Sequence, residues 1–137
     1  MNESPPNKEK VKITIIGSRT FDDKERLFQI LDKNFEKIEM IISGGTQGAD
    51  LLGQLYAQER GLPCLIHYPR WHSIDGTYDK GAGLRRTRSV INGVDMVLVF
   101  WDGKSNGTKR SIDLAERLGK KVKIFKFNPP IKSEEKV

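Results

Sequence analysis

Short β-branched runs alternate with amphipathic stretches along most of the chain, and this alternation constrains the fold more than any other feature. Apolar runs predict strands over residues 11–16, 40–43, 62–67, 94–101 and 121–127. Hydrophobic residues at helical spacing predict helices after a capping box of Asp22 and Glu25, and over residues 47–60, 84–92 and 107–118. The chain therefore reads as a repeated strand and helix unit.

Such alternation is typical of a parallel sheet that is covered on both faces. With right-handed crossovers it predicts an α/β, three-layer Rossmann-like sandwich, in which a mainly parallel, five-stranded sheet has helices on both faces. Residues 94–101 form the most hydrophobic run, so we expect them to be the central strand. We place the domain at 11–127, between flexible tails at 1–10 and 128–137.

Composition restricts the class of protein further. A chain of 137 residues is long enough for one domain, and it has no apolar run of the roughly 20 residues that a membrane span needs. The N-terminus has no apolar segment typical of a secretory signal, and the single Cys64 excludes an internal disulfide. We expect a cytoplasmic protein. His67 and His72 have no acidic or thiol cluster beside them, so we predict no metal site and no cofactor.

The net charge of +6 lies in the body of the domain. From Lys104 to Lys126 there are eight Lys or Arg residues and two acids, Asp113 and Glu116. This excess suits a polyanion or a phosphorylated small molecule. A solvated basic face is the alternative for residues 120–126.

The segment from Ser43 to Asp50 contains three glycines, at positions 44, 45 and 48, between a predicted strand and a predicted helix. Glycines let the backbone approach a ligand closely, and free N–H groups at a helix start favour an anion. We therefore predict phosphate binding by Ser43, Gly44, Gly45 and Thr46. Asp50 complements the helix dipole, accepts hydrogen bonds from a ribose or holds Arg19.

Other unusual segments also follow the predicted strands, so they meet at one rim of the sheet, where α/β proteins bind ligands. Arg86 and Arg88 lie two apart on a helix and point in different directions, so one of them suits a phosphate. Trp71, Tyr68 and Trp101 are candidates for stacking on a base or ring, and Trp71 is favoured over Trp101, which ends a buried strand. The remaining candidates follow the first strand or begin the last helix: Gly17, Ser18, Arg19, Gly107 and Thr108.

Taken together, these motifs resemble the YspA-like branch of the SLOG superfamily over about residues 11–126. The resemblance is carried by Gly17-Ser18-Arg19-Thr20-Phe21, by residues 43–50, by residues 83–88 and by Gly107-Thr108. That superfamily also contains the DNA-processing SMF/DprA proteins and the lonely-guy phosphoribohydrolases. The resemblance implies a Rossmann-like fold that binds nucleotides or nucleotide-derived ligands, often as a sensor.

The resemblance also assigns ligand contacts, to Gly17, Ser18, Arg19, Gly44, Gly45, Asp50, Arg86, Gly107 and Thr108. Lonely-guy enzymes carry a catalytic Glu three residues after the Thr of a glycine-rich segment. Here the Thr is Thr108 and the Glu position is Ser111, so the carboxylate is missing.

We therefore expect sensing or sequestration of a nucleotide-derived, phosphate-bearing small ligand at the carboxyl rim of the sheet. Whether the protein is an enzyme is left open, and the missing Glu favours a protein that is not. One alternative is a nucleotide N-glycosidase of the phosphoribohydrolase type, with Asp50 or Asp102 as the base. Another is a module that binds single-stranded nucleic acid through the basic rim and Trp71. No membrane partner is expected, and a homo-oligomer is compatible with the resemblance.

Overall fold

The computed structural model describes residues 10–129, so the predicted tails fall almost entirely outside the described residues. None of the helices in the described part is long and apolar enough to cross a membrane. The elements, in chain order, are β1 (Val11–Gly17), α1 (Lys24–Asp32), β2 (Ile38–Ser43), α2 (Ala49–Arg60), β3 (Cys64–Ile66), α3 (Ala82–Asn92), β4 (Met96–Trp101), α4 (Asn106–Arg117) and β5 (Lys121–Lys126).

The five strands form one sheet in the order β3-β2-β1-β4-β5, and every neighbouring pair is parallel. The α/β, Rossmann-like fold is therefore confirmed. The central strand is β1 rather than β4, which lies between β1 and β5. Both strands are interior and covered on both faces, so hydrophobicity alone does not rank them.

Helices cover the two faces in pairs. Ile13 and Ile15 of β1 pack in one hydrophobic cluster with Leu27 of α1 and Tyr56 of α2. On the other face, Val97 and Val99 of β4 pack with α3 and α4 residues, among them Ile91. Strands β2 and β3 lie on one side of β1 and strands β4 and β5 on the other, so the topological switch point is between β1 and β4.

Two boundaries differ from the sequence prediction for local reasons. The residue that caps α1 is Asp23 rather than Asp22, and its carboxylate accepts the Arg26 N–H at 3.1 Å. With Asp23 as the cap, the reciprocal position three residues later is Arg26, so Glu25 does not complete a capping box. Strand β3 begins at Cys64 instead of residue 62, since Pro63 has no N–H to donate. The Pro63 carbonyl still accepts the Ile41 N–H at 3.0 Å.

Candidate functional site

A cavity of about 410 Å³ opens at the carboxyl end of the sheet, at the switch point between β1 and β4. Its walls come from the loop after β1, the glycine turn after β2, one face of α3 and the start of α4. An apolar side formed by Ile16, Val90 and Ile91 faces these polar segments. The cavity therefore combines apolar side chains with backbone and side-chain donors, as small-molecule sites commonly do.

The glycine turn is built around the buried carboxylate of Asp50, which is 4% exposed. One carboxylate oxygen accepts from the Ser43 hydroxyl at 2.5 Å. The other accepts from the Gly44 N–H at 3.1 Å and from the Thr46 N–H and hydroxyl at 3.0 and 2.5 Å. These donors compensate the cost of burying a charge. Asp50 thus stabilises the turn, a role that the sequence analysis did not include.

The N–H groups of this turn are occupied within the protein. Those of Gly44 and Thr46 donate to Asp50, and that of Gly45 donates to the Ser43 hydroxyl at 3.0 Å. Anion binding at the start of α2, which has no side-chain cap, stays a prediction, but the N–H groups of the turn itself are not available to an anion in this structure. The physical reason is that a buried carboxylate beside a helix start competes for the same donors.

Arg86 crosses the cavity from α3 to the glycine turn. One of its guanidinium nitrogens donates to the carbonyl oxygen of Gly44. A Cβ at Gly44 would lie 2.9 Å from Arg86 Cδ and 3.3 Å from an Asp50 carboxylate oxygen, so only glycine leaves room for this contact. Burial lowers the pKa of Arg86, and the Asp50 carboxylate opposes that shift. The guanidinium nevertheless stays charged at neutral pH.

Two further glycines bring the loop after β1 against the start of α2. A Cβ at Gly17 would lie 2.4 Å from the Phe100 carbonyl oxygen. Gly48 has φ +94, and a Cβ there would lie 2.6 Å from the Ser18 carbonyl oxygen. Both positions require a residue without a side chain, and Gly48 also requires a backbone conformation that favours glycine.

Ser18, Ser105 and Asp102 form a hydrogen-bonded network on the opposite wall. The two serine hydroxyls lie 3.0 Å apart, and the Ser105 hydroxyl lies 3.0 Å from an Asp102 carboxylate oxygen. The other Asp102 oxygen accepts the N–H groups of Lys104 and Ser105, both at 2.8 Å. Burial raises the pKa of Asp102, but these hydrogen bonds together lower it by more, so the net shift of the pKa is downward. A carboxylate in this state is a weak base.

Because the Ser105 hydroxyl is turned towards Ser18 and Asp102, it does not cap α4. The first hydrogen bond within α4 runs from the Lys109 N–H to the Ser105 carbonyl at 3.1 Å. The N–H groups of residues 106–108 precede it and have no acceptor within the helix. Gly107 and Thr108 line the cavity, so this helix start offers donors to an anion.

The structure brings most of the predicted site residues to the cavity wall but leaves four of them away from it. Arg88 is exposed on α3, Ser43 is buried behind the turn, and Gly45 lies beneath the Tyr68 ring. Trp71 stacks on Tyr78 with ring centroids 6.0 Å apart. The predicted residues that line the cavity are Gly17, Ser18, Arg19, Gly44, Thr46, Asp50, Arg86, Gly107 and Thr108.

Sequence reasoning missed Thr20, Gln47 and Thr87 on the cavity wall. Each is next to a predicted site residue or within a predicted turn, so proximity in the chain was the available signal. Thr87 also shares a helix face with Val90 and Ile91, at spacings of three and four residues. Ser111 lies on the wall as well, so the position where the resemblance expects a Glu does face the cavity.

Comparison with known proteins agrees with this architecture. The family model described as YspA, cpYpsA-related SLOG family matches residues 11–73, which confirms the YspA-like SLOG resemblance. The Gene 61 protein of Mycobacterium phage D29 is 28% identical over 123 residues, which cover 86% of this chain and 98% of that protein. A solved structure of DNA processing protein A from Helicobacter pylori, analysed for its single-stranded DNA binding mode, is similar to this chain with a TM-score of 0.62. The two sequences are 25% identical, and the match covers 94% of this chain and 72% of that one.

Proposed function

We propose that this YspA-like SLOG chain binds a nucleotide-derived, phosphate-bearing small ligand in the switch-point cavity and holds it without chemical change. The observation that carries the proposal is that the uncapped start of α4 and Arg86 line the same cavity. Helix N–H donors and an arginine suit a phosphate, and the apolar side at Ile16, Val90 and Ile91 suits a base or another flat ring.

Arg19 adds a second positive charge at the cavity mouth. Its side chain is exposed, and within residues 10–129 it makes no ion pair. Asp50 and Asp102 are negative, but their oxygens accept hydrogen bonds from neighbouring loops. Arg19 and Arg86 are therefore the cationic side chains on the cavity wall, and the start of α4 adds backbone N–H donors.

The same hydrogen bonds favour binding over turnover. Asp50 and Asp102 are the carboxylates on the cavity wall, and each stabilises a loop by accepting from backbone N–H groups. Ser111 stands where the lonely-guy pattern has its catalytic Glu. General-base chemistry at a glycosidic carbon would require a carboxylate that is free to take a proton.

Isothermal titration calorimetry against nucleoside monophosphates, ADP-ribose derivatives, cyclic nucleotides and the matching unphosphorylated nucleosides tests the proposal. We expect phosphorylated ligands to bind, and Arg86→Ala to weaken them about 10-fold or more, since a hydrogen bond to a charged group contributes about 1.5–3 kcal/mol. Arg88→Ala, which changes an exposed arginine on the same helix outside the cavity, is the control and should bind normally. A folded protein that binds none of these ligands contradicts the proposal.

Single-stranded nucleic acid is the second candidate, supported by the fold shared with DNA processing protein A from Helicobacter pylori and by the excess of basic residues from Lys104 to Lys126. A strand that neutralises several lysines releases counterions, so its affinity should fall steeply with salt. Oligonucleotide binding measured between about 50 and 200 mM salt separates the two candidates, because the affinity of a strand should fall strongly over that range. An undetectable or salt-insensitive affinity removes this second candidate.

A further inference from the structure

A second, larger groove borders the cavity on the far side of Arg86. It has a volume of about 1000 Å³ and lies between the loop after β3, the loop segment 72–79 and the first turns of α3. That segment is a small hairpin, with an antiparallel bridge from His72 to Tyr78 and a Ser73 N–H that donates to the Thr77 carbonyl at 2.8 Å. Its structure is therefore defined by backbone hydrogen bonds.

Arg86 lies on the ridge that separates the two concavities. Ala82, Arg85, Arg86 and Ser89 face the groove at spacings of three and four residues. Arg86 also lines the cavity, together with Thr87, Val90 and Ile91. A guanidinium has five N–H donors, and the bond to Gly44 uses one of them. The same side chain can therefore bind anionic groups on both sides.

The groove carries more positive than negative charge, with three arginines against two aspartates on its walls. Asp79 forms an ion pair with Arg85, and Asp75 accepts the Thr77 N–H at 3.0 Å in the hairpin turn. Both aspartates thus have partners in the protein. With Arg85 and Asp79 paired, Arg70 and Arg86 stand against Asp75, which leaves an excess of one positive charge.

An aromatic face stands at the same edge. The Tyr68 side chain is 68% exposed and lines the groove. Its ring rests on the glycine turn, where a Cβ at Gly45 would lie 3.0 Å from the ring. Trp71 is already stacked on Tyr78, so Tyr68 is the better placed ring for a base.

We infer that this groove is a second nucleotide subsite, so that the ligand has two nucleotide units joined through phosphate, with Arg86 between them. The inference rests on the proposed function, because the first unit occupies the switch-point cavity. Arg70 is the specificity-determining residue for the second unit, since it lines the groove and not the cavity.

The test compares a 5′-mononucleotide with a 5′-phosphorylated dinucleotide of the same base, by calorimetry at one ionic strength. We expect the dinucleotide to bind about 10-fold tighter, as one added charged hydrogen bond predicts. Arg70→Ala should remove this gain and leave the mononucleotide affinity unchanged, whereas the exposed control Arg88→Ala should keep the gain. A tetranucleotide distinguishes a nucleic-acid strand from a free dinucleotide as the ligand. A further, salt-sensitive gain in affinity indicates a strand, and no further gain indicates a dinucleotide.

Three outcomes overturn the inference, and they differ in what they say about the first site. If the mononucleotide and the dinucleotide bind equally well, the second subsite is absent and the proposed function stands. If Arg70→Ala keeps the full dinucleotide gain, the groove is not where the second unit binds. Binding of neither ligand by the folded protein removes the proposed function and this inference with it.

Discussion

The Arg86 guanidinium on α3 donates to the carbonyl oxygen of Gly44, which belongs to the turn after β2. The two residues are 42 positions apart in the chain. Their contact joins the two concavities at the carboxyl rim and depends on the missing side chain at Gly44.

Gly44→Ala should displace Arg86, because the new Cβ would lie 2.9 Å from its Cδ. We expect ligand affinity to fall about 10-fold, similar to Arg86→Ala, since both changes remove the guanidinium from its place on the cavity wall. The measurement is calorimetry on the two single variants and the double variant. If the Arg86 contact is the cause, the double variant binds no worse than either single one. Additive losses would mean that Gly44 acts in another way.

Asp50→Asn should destabilise the fold by roughly 3 kcal/mol, because the amide nitrogen replaces an acceptor that faces N–H and hydroxyl donors. Urea unfolding monitored by circular dichroism measures this as a lower midpoint with an unchanged slope. The control is Asp113→Asn, which removes an exposed carboxylate paired with Lys109 at 3.2 Å and should cost less than about 0.5 kcal/mol. Equal effects of the two variants would contradict the role assigned to Asp50.

Thr14→Val should stabilise the protein by about 1 kcal/mol. Thr14 is fully buried in β1, and its hydroxyl oxygen has no hydrogen-bond partner among the described residues. Valine has nearly the same shape and removes the cost of burying an unpaired hydroxyl. Thermal unfolding should show a higher Tm. The matched variant Thr87→Val should instead lower stability, since it breaks the 3.0 Å bond from the Thr87 hydroxyl to the Gly83 carbonyl. A lower Tm for Thr14→Val would argue against the prediction.

Because of Asp32, the free energy of unfolding should decrease as the pH falls into the acid range. The pKa of Asp32 is lowered chiefly by hydrogen bonds from Arg60, at 3.0 Å to each carboxylate oxygen, and then by the Tyr56 hydroxyl at 2.7 Å. A lowered folded-state pKa gives stability that is complete above the unfolded value of about 3.9 and is lost as pH falls through the folded value. The free energies of unfolding of wild type and Asp32→Asn should therefore differ most at pH near 7 and approach each other as the pH falls below roughly 4.

Unfolding by urea at several pH values measures this convergence. A difference between wild type and Asp32→Asn that persists unchanged into strong acid would show that Asp32 acts through packing rather than through its charge. Arg60→Gln is the complementary variant, because it removes the main partner and should reduce the same pH dependence.

The amino-acid sequence by itself determined the α/β class, the approximate elements and the rim at which the unusual segments meet. These properties depend on local patterns, such as the β-branched run in β1 and the glycine that ends α2, Gly61, which has φ +72. A helix or strand needs only its own periodicity to be recognised. The rim follows from parallel strands, whose carboxyl ends lie on one edge.

Only the tertiary structure decided which groups remain free to meet a ligand. Asp50 takes the N–H donors of the glycine turn, and Ser105 turns away from α4 towards Ser18, 87 positions earlier in the chain. Each buried polar group binds the partner that folding brings nearest, and most of these partners are distant in sequence. The glycine turn therefore forms part of the cavity wall, while Arg86 and the uncapped start of α4 supply donors that the turn's own N–H groups do not, because competition for hydrogen bonds depends on the tertiary structure.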